Sequence, residues 1–345
     1  MIDSGKVTPI QNFVDAEHYD LSDFEPKALA YYSLGGALYA MPFNLSGPIL
    51  YYDRQAFQAA GLDPDKPPHT LDELRQDSEK LVAAGKAAGV KRYGMSLEVS
   101  SWVFEEMLAK AGAPLTNNGN GRTGRATEAL FAGPEGKAII EWWDSMVADG
   151  LAYNATDTVD ALLKLASGQV GMSIASTAVL RGAIAALTLA GRDPRQYDAA
   201  PMPGPAGPGG IVVGGASFWI LKDRSQEEQQ GAWEFLKFVS TPEQQAQWHS
   251  DTGYFPSRIS AFDLPAAVQA RQQFPQFEIA LRQVHNSPDT TATDGALIGP
   301  FSSVRDKITQ AFEQALANAV DPDVALENAA KEANKLMKDY NRTAP

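Results

Sequence analysis

The sequence predicts an α/β fold of two lobes, and three observations carry that expectation. The chain has 345 residues, 44% of them hydrophobic, which is more apolar material than one core ordinarily uses. Short apolar strands alternate with longer helical patterns along its length. Four polar or glycine-rich breaks each stand beside a strand: Asn44-Leu45-Ser46-Gly47, Ile174-Ala175-Ser176-Thr177, Gly214-Gly215-Ala216-Ser217 and Thr252-Gly253-Tyr254. Strand ends of this kind expose backbone N–H groups and hydroxyls where ligands bind in open α/β sheets. One such break alone reads as a plain turn; four in one chain point to a cleft.

The elements follow in order. The first forty residues read as loop and short helix, with an amphipathic turn at Leu21 to Ser33 and a turn at Gly35-Gly36. A strand is expected over Ala37 to Met41, and the polar run Asn44 to Pro48 interrupts what otherwise resembles one apolar strand resuming at Ile49. A helix is expected to open at Tyr52-Asp53-Arg54 and stop at Gly61. Thr70, with Glu73 three residues on, forms a capping box for the next helix. Further strands are expected at Tyr93 to Ser96, Val170 to Ile174 and Gly214 to Ile220. Further helices are expected at Trp102 to Ala111, Pro134 to Ala148, Val159 to Ala166, Gln226 to Val239 and from Pro242. Asn117 to Gly124 and Pro201 to Gly210 are turn and surface loop. Ser303 to Lys338 reads as two amphipathic helices split at Asp321-Pro322.

Composition closes several doors. The net charge of -13 and isoelectric point near 4.8 argue against a nucleic-acid or anionic-membrane partner. With no cysteine, disulfides, thiolate metal sites and cysteine nucleophiles are excluded. His18, His69, His249 and His285 are scattered without metal-ligand spacing, so neither a metal nor a cofactor is expected. No GxSxG elbow or phosphate-binding GxxxxGK[ST] loop occurs, and GNGRTG (Gly119 to Gly124) follows no strand, so it reads as a turn. Glu105 and Glu106 could be imagined as a hydrolytic carboxylate pair. Neighbouring helical positions point about 100° apart, so a solvated or capping role is expected for at least one. The segment MIDSGKVTPIQNF shows no secretory signal, which leaves a cytoplasmic protein or a sequence lacking its front.

MPFNLSGPILYYDRQAFQAAGLDPDKPPHTLDEL, GGASFWIL, WEFLKFVSTPEQQAQWHSDTGYFPSR and the paired C-terminal helices together resemble the carbohydrate-class solute-binding proteins of ABC importers. The specific elements are PFN-x-S-x-P-x-LYY, GGAS and TGYxP, and the resemblance runs through the whole chain in order. It is nearest to the members that bind glycerol 3-phosphate and glycerophosphodiesters. It implies the type II periplasmic-binding-protein fold, with two hinged lobes closing on a ligand. The lobes would be 1–49 with 214–260, and 50–213 with 261–345. Asn44 would end the strand of the first lobe, Leu50-Tyr51-Tyr52 would belong to the second, and Ser46 would lie at the crossover.

Carried over by position, the implied ligand contacts are Ser46, Ser176, Gly215 and Tyr254. Trp102 stands where the family stacks an aromatic ring on the ligand, its spacing differing by one residue; a core tryptophan is the competing reading. Trp142 and Trp143 read as core or interface. Two departures matter. Leu297 occupies the place where the glycerol-phosphate members carry an arginine, which points toward a neutral sugar, a polyol or a diester. The family's leading strands and helices, with a tyrosine and a glutamate contact, precede the part matched here, so the first lobe is expected to be incomplete. The expected function is the non-catalytic, periplasmic or cell-surface subunit that hands a small ligand to the ABC permease subunits, with a monomer as the default. A carbohydrate hydrolase using Glu98 or Glu105, and a sensory ligand-binding module, are the alternatives.

Overall fold

The computed structural model describes residues 1–207 and 209–344; Pro208, within the loop expected at Pro201 to Gly210, and Pro345 lie outside the described residues. The larger sheet has five strands in the spatial order Ala152–Ala155, Tyr93–Glu98, Val170–Ser176, Pro48–Asp53, Tyr197–Pro201. The first three are mutually parallel, and Pro48–Asp53 runs antiparallel to both of its neighbours. The central strands are buried along nearly their whole length, which is why they read as continuous apolar runs rather than alternating ones.

The period of two along each strand sends side chains into two separate cores. Leu50, Tyr52, Met95, Met172 and Ile174 pack with Phe104, Trp143, Phe312 and Leu326 on one face. That face is covered by the helices Ser101–Ala111, Pro134–Ala148, Phe301–Leu316 and Pro322–Thr343. Ile49, Tyr51 and Ala175 pack with Leu187, Phe274 and Phe277 on the other. Each large side chain taken fully from water contributes about 1.5–3 kcal/mol. Trp143 is fully buried, whereas Trp142 is half-buried and donates its indole N–H to the Leu71 carbonyl at 3.2 Å.

The smaller sheet is antiparallel, with Met41–Ser46 between Gly214–Phe218 and Phe255–Pro256. Ile10, Phe24, Met41, Trp233 and Leu236 form its core. The two sheets are joined through adjacent residues. Ser46 pairs with Gly214 in the small sheet, Pro48 pairs with Ser176 in the large one, and Gly47 alone lies between. Gly47 donates its N–H to the Thr177 hydroxyl at 3.3 Å and accepts from the Thr177 N–H at 3.0 Å.

Three expected boundaries change. The strand does not end at Asn44: it continues through Leu45 and Ser46, because the Asn44 side chain accepts the Ala216 N–H at 2.8 Å across a bulge at Ala216/Ser217 and holds the ladder together. The polar run is thus strand, and the true break is one residue. Tyr52-Asp53 ends the next strand rather than opening a helix. Asp53 is the N-cap, accepting from the Gln55 and Ala56 N–H groups, so the helix begins at Arg54. Ala37 to Met41 is not one strand; Ala37–Leu38 closes a hairpin with Ser33–Leu34, the Tyr39 N–H turns to the Tyr32 carbonyl, and the main strand starts at Met41. The capping box at Thr70 forms as expected.

Gly215 has φ +125°, and a Cβ there would sit 2.0 Å from the Asn44 carbonyl oxygen. Gly215→Ala is therefore expected to lose at least about 2 kcal/mol of stability, from backbone strain together with the forced separation of the two strands. Urea denaturation checks this: an unchanged midpoint would show that the strand pair tolerates the side chain.

Candidate ligand-binding cleft

A cleft of about 520 Å³ opens where the chain crosses between the sheets. Ser46, Trp102, Ser176, Gly215 and Tyr254 all line it, so residues as much as 208 positions apart, from 46 to 254, converge on one space. Two strand crossings bring Ser46 and Gly215 together directly, through adjacent pairs in the same ladder. Ser176 ends its strand and caps the next turn, its hydroxyl oxygen accepting the Ala178 N–H at 3.1 Å; its own O–H remains available as a donor.

Tyr254 reaches the same space through a different device. The helix Pro242–Thr252 ends in a left-handed Gly253, whose Cα lies so close to the Thr177 carbonyl that a Cβ would come within 2.6 Å of it. The Tyr254 carbonyl accepts from His249 Nδ1 at 2.7 Å. His249 is fully buried, edge-on to Phe262 and Phe277. Burial pushes its imidazole down to about 4, so it is neutral at physiological pH and donates to that carbonyl as a fixed tautomer. Tyr254 is thus held against the Ser176 turn by packing, by the His249 bond to its carbonyl and by its own N–H, which donates to the Thr252 hydroxyl at 3.2 Å.

The opposite wall is the first turn of the helix Ser101–Ala111. Trp102 is half-buried, its ring packed against the edge of the larger core. The two readings of this tryptophan meet in one residue, since it touches the core and also faces the cleft. The Ser100 hydroxyl beside it is buried without a hydrogen-bond partner among the described residues. Neither the Ser46 hydroxyl, the Trp102 indole N–H nor the Tyr254 phenol bonds to protein among the described residues. Tyr31 and Tyr32 close the floor. Aromatic faces and free hydroxyl-type groups arranged this way suit a polyhydroxylated solute, which offers C–H faces for stacking and hydroxyls for hydrogen bonds.

The carboxylates depart from expectation. Neither Glu105 nor Glu106 is solvated or caps a helix. Glu105 makes a bidentate pair with Arg305, Nε to Oε1 at 2.9 Å and Nη2 to Oε2 at 2.6 Å. Burial pushes the Glu105 carboxyl up, and Arg305 pulls it back. Glu106 is 2% exposed and accepts the Val212 N–H at 3.0 Å, which fastens the returning segment to the helix. Burial raises its carboxyl to about 8, against the smaller pull of the Val212 N–H. Glu98 receives a short hydrogen bond from the Thr158 hydroxyl. Leu297, at the position where the resemblance places an arginine, does not line the cleft; it borders a separate cavity with Arg122, Trp219 and Tyr340. The cation at the cleft is Arg305, from the helix Phe301–Leu316. Sequence reasoning missed it, along with Tyr31, Tyr32 and the anchoring role of Glu106. An arginine on the polar side of an amphipathic helix carries no local signal of a partner 200 residues away.

A larger cavity of about 690 Å³ lies beyond Tyr31. It holds none of the strand crossings and is bordered by the Lys27–Asp289 ion pair at 2.8 Å and by a hydrogen-bonded contact between His285 and Glu25 at 2.8 Å. Size alone does not make it the site; the cleft is distinguished by unpaired polar groups beside aromatic faces.

This is the architecture of a mixed α/β binding protein with its cleft at the sheet-to-sheet crossing. Comparison with known proteins agrees. Residues 1–276 match the family model described as bacterial extracellular solute-binding protein. The chain is 30% identical over 354 residues to the sn-glycerol-3-phosphate-binding periplasmic protein of Yersinia pseudotuberculosis, covering 99% of this chain and 77% of that protein. The UgpB protein of Mycobacterium tuberculosis, solved in complex with glycerophosphocholine, superposes with a TM-score of 0.75 at 22% identity, covering 99% and 81% of the two chains. A solute-binding protein of Agrobacterium radiobacter, in complex with ribitol, gives a TM-score of 0.78 at 22% identity, covering 96% and 81%. The chain belongs to the bacterial extracellular solute-binding proteins.

The Glu106 carboxyl predicts a pH effect with a definite sign. Its folded pKa, about 8, lies above its ordinary value of 4.5. The stability it contributes is complete below about 4.5 and is lost as pH rises through 8. His249, whose imidazole burial lowers to about 4, acts with the opposite sign, adding stability as pH rises through its ordinary 6.5, so a fall above pH 6.5 belongs to Glu106. Thermal unfolding between pH 6.5 and 8.5 should show a decline of about 2 kcal/mol in the wild type and a clearly flatter profile in Glu106→Gln. Parallel profiles would contradict the assignment.

Proposed function

We propose that this chain is the substrate-binding subunit of an ABC importer and captures a small sugar, polyol or glycerophosphate-type solute in the cleft between its two sheets. The observation that carries the reading is the convergence of Ser46, Ser176, Gly215 and Tyr254 with Trp102 on one cleft, beside the crossing from the small sheet to the large one at Gly47. A ligand there touches residues from both sheets at once, so its binding free energy favours the arrangement that brings them together. The lobes expected at 1–49 with 214–260 and 50–213 with 261–345 would instead meet at Gly47, because Pro48 and Ile49 pair in the large sheet. The closed form would present surfaces of both lobes to the permease subunits.

The protein works outside the cytoplasmic membrane as a monomer, without nucleic acid. Among the described residues no helix is long and apolar enough to cross a membrane. Hydrolysis is not its chemistry: Glu105 is held by Arg305 and Glu98 by Thr158, whereas a glycosidase needs two carboxyls facing one bond. The relatives' solutes, glycerol 3-phosphate, glycerophosphocholine and ribitol, define the classes to screen.

Thermal-shift measurement against sugars, polyols and glycerophospho compounds should give stabilisation by at least one class. Trp102→Ala should then weaken that ligand about tenfold or more, as expected for the loss of a stacked ring worth roughly 1.5 kcal/mol or more. If no compound in these classes stabilises the protein, the reading is wrong.

A further inference from the structure

The charges that line the cleft say more about the solute than its shape does. They are Glu98, Glu105, Glu106 and Arg305. Arg305 is 38% exposed as a side chain, whereas Glu105 is 12% exposed. The guanidinium is thus the more accessible member of the pair and lines the cleft, while its Nε and one Nη are taken by both oxygens of Glu105. Its flat face lies 4.3 Å from the centre of the Phe301 ring, which fixes its orientation. Burial pushes the Glu106 carboxyl up to about 8, so it carries little of the charge at neutral pH. Glu98 supplies a further negative charge at the rim. Arg305 is thus cancelled by Glu105, and the remaining charge on the walls is negative.

Among the described residues no other cation lines the cleft. Arg122, beyond Tyr31, donates to the Gly295 carbonyl at 2.8 Å and the Tyr31 carbonyl at 3.3 Å, and packs on the Tyr31 ring. Lys27 is held by Asp289 and the Ser287 carbonyl.

Resting on the solute-binding reading above, we propose that Glu105 sets the charge selectivity of the cleft: by occupying Arg305 it turns the site toward uncharged polyhydroxylated solutes and against phosphate monoesters. A phosphate monoester carries roughly 1.5 to 2 negative charges at neutral pH. To use Arg305 it would have to displace a carboxylate already in bidentate geometry, and the displaced Glu105 would be left buried and unpaired. An uncharged polyol needs no such exchange. It can donate hydroxyls to the outer edges of the Glu98 and Glu105 carboxylates and accept from Ser46, Ser100 and the free N–H groups of Arg305. Discrimination by an occupied cation works through repulsion of the wrong solute as much as through attraction of the right one.

Isothermal titration of the full chain at neutral pH tests this with named probes: ribitol and maltose as uncharged solutes, and sn-glycerol 3-phosphate as the monoester. The expected result is that an uncharged probe binds the wild type and sn-glycerol 3-phosphate binds at least about tenfold more weakly. Glu105→Gln keeps the shape but frees the guanidinium charge. It should gain about tenfold or more in affinity for sn-glycerol 3-phosphate, and that gain should shrink as salt is raised. The double variant Glu105→Gln with Arg305→Gln should lose the gain, which separates a charge effect from a loosened fold. Circular dichroism of each variant reports whether it is folded. Tight binding of sn-glycerol 3-phosphate by the wild type, abolished by Arg305→Gln, would overturn the selectivity proposal while leaving the transport reading intact. Binding of none of the sugars, polyols or glycerophospho compounds would overturn both.

Discussion

The structure depends on a crossing only one residue wide. Ser46 closes a pair in the small sheet and Pro48 opens one in the large sheet, so the single residue between them, Gly47, belongs to neither ladder. Its two hydrogen bonds to Thr177 tie that junction to the strand end that carries Ser176. The return crossing is tied down from the other side, where Glu106 holds the Val212 N–H. The outgoing strand Met41–Ser46 and the returning strand Gly214–Phe218 lie side by side in the small sheet and bring their polar ends to one place, and the cleft opens beside those ends.

Polar satisfaction decides which groups are free for a solute. Asn44 is consumed by the bulge at Ala216/Ser217, His249 by the Tyr254 carbonyl, and Glu105 by Arg305. These residues shape the cleft or set its charge. What is left over, the Ser46 and Ser100 hydroxyls, the Trp102 N–H and the Tyr254 phenol, is an array of neutral donors and acceptors. Leaving such groups without partners is costly in a closed interior, and a hydroxylated solute relieves that cost.

Much of this was legible in the sequence, for reasons that differ by element. The capping box at Thr70 and the helix Gln226–Val239 follow local rules, and the structure agrees with both. The four polar breaks were legible because strand-end chemistry is written in contiguous residues such as GGAS. The run Asn44 to Pro48 misled because the side chain of Asn44 does its work across the sheet, satisfying an N–H 172 residues away; polarity alone suggested a loop. Tyr52-Asp53 misled because an N-cap aspartate reads as helix when the strand before it is fully buried. The carboxylates misled most. Glu106 lies in an apolar environment assembled from distant segments, and the partner of Glu105 is 200 residues away. Pairings of that kind have no period and no motif. Leu297 shows the same limit from the other direction, since a position matched by resemblance falls outside the cleft altogether.

A crystal structure of the protein with a solute that stabilises it would test the account most directly. The account predicts the solute between the Trp102 ring and the Ser46–Gly215 edge, hydrogen-bonded to residues of both sheets, with the Glu105–Arg305 pair intact. A solute seated instead beyond Tyr31, among Lys27, Arg122 and Asp294, with the crossing residues untouched, would contradict it.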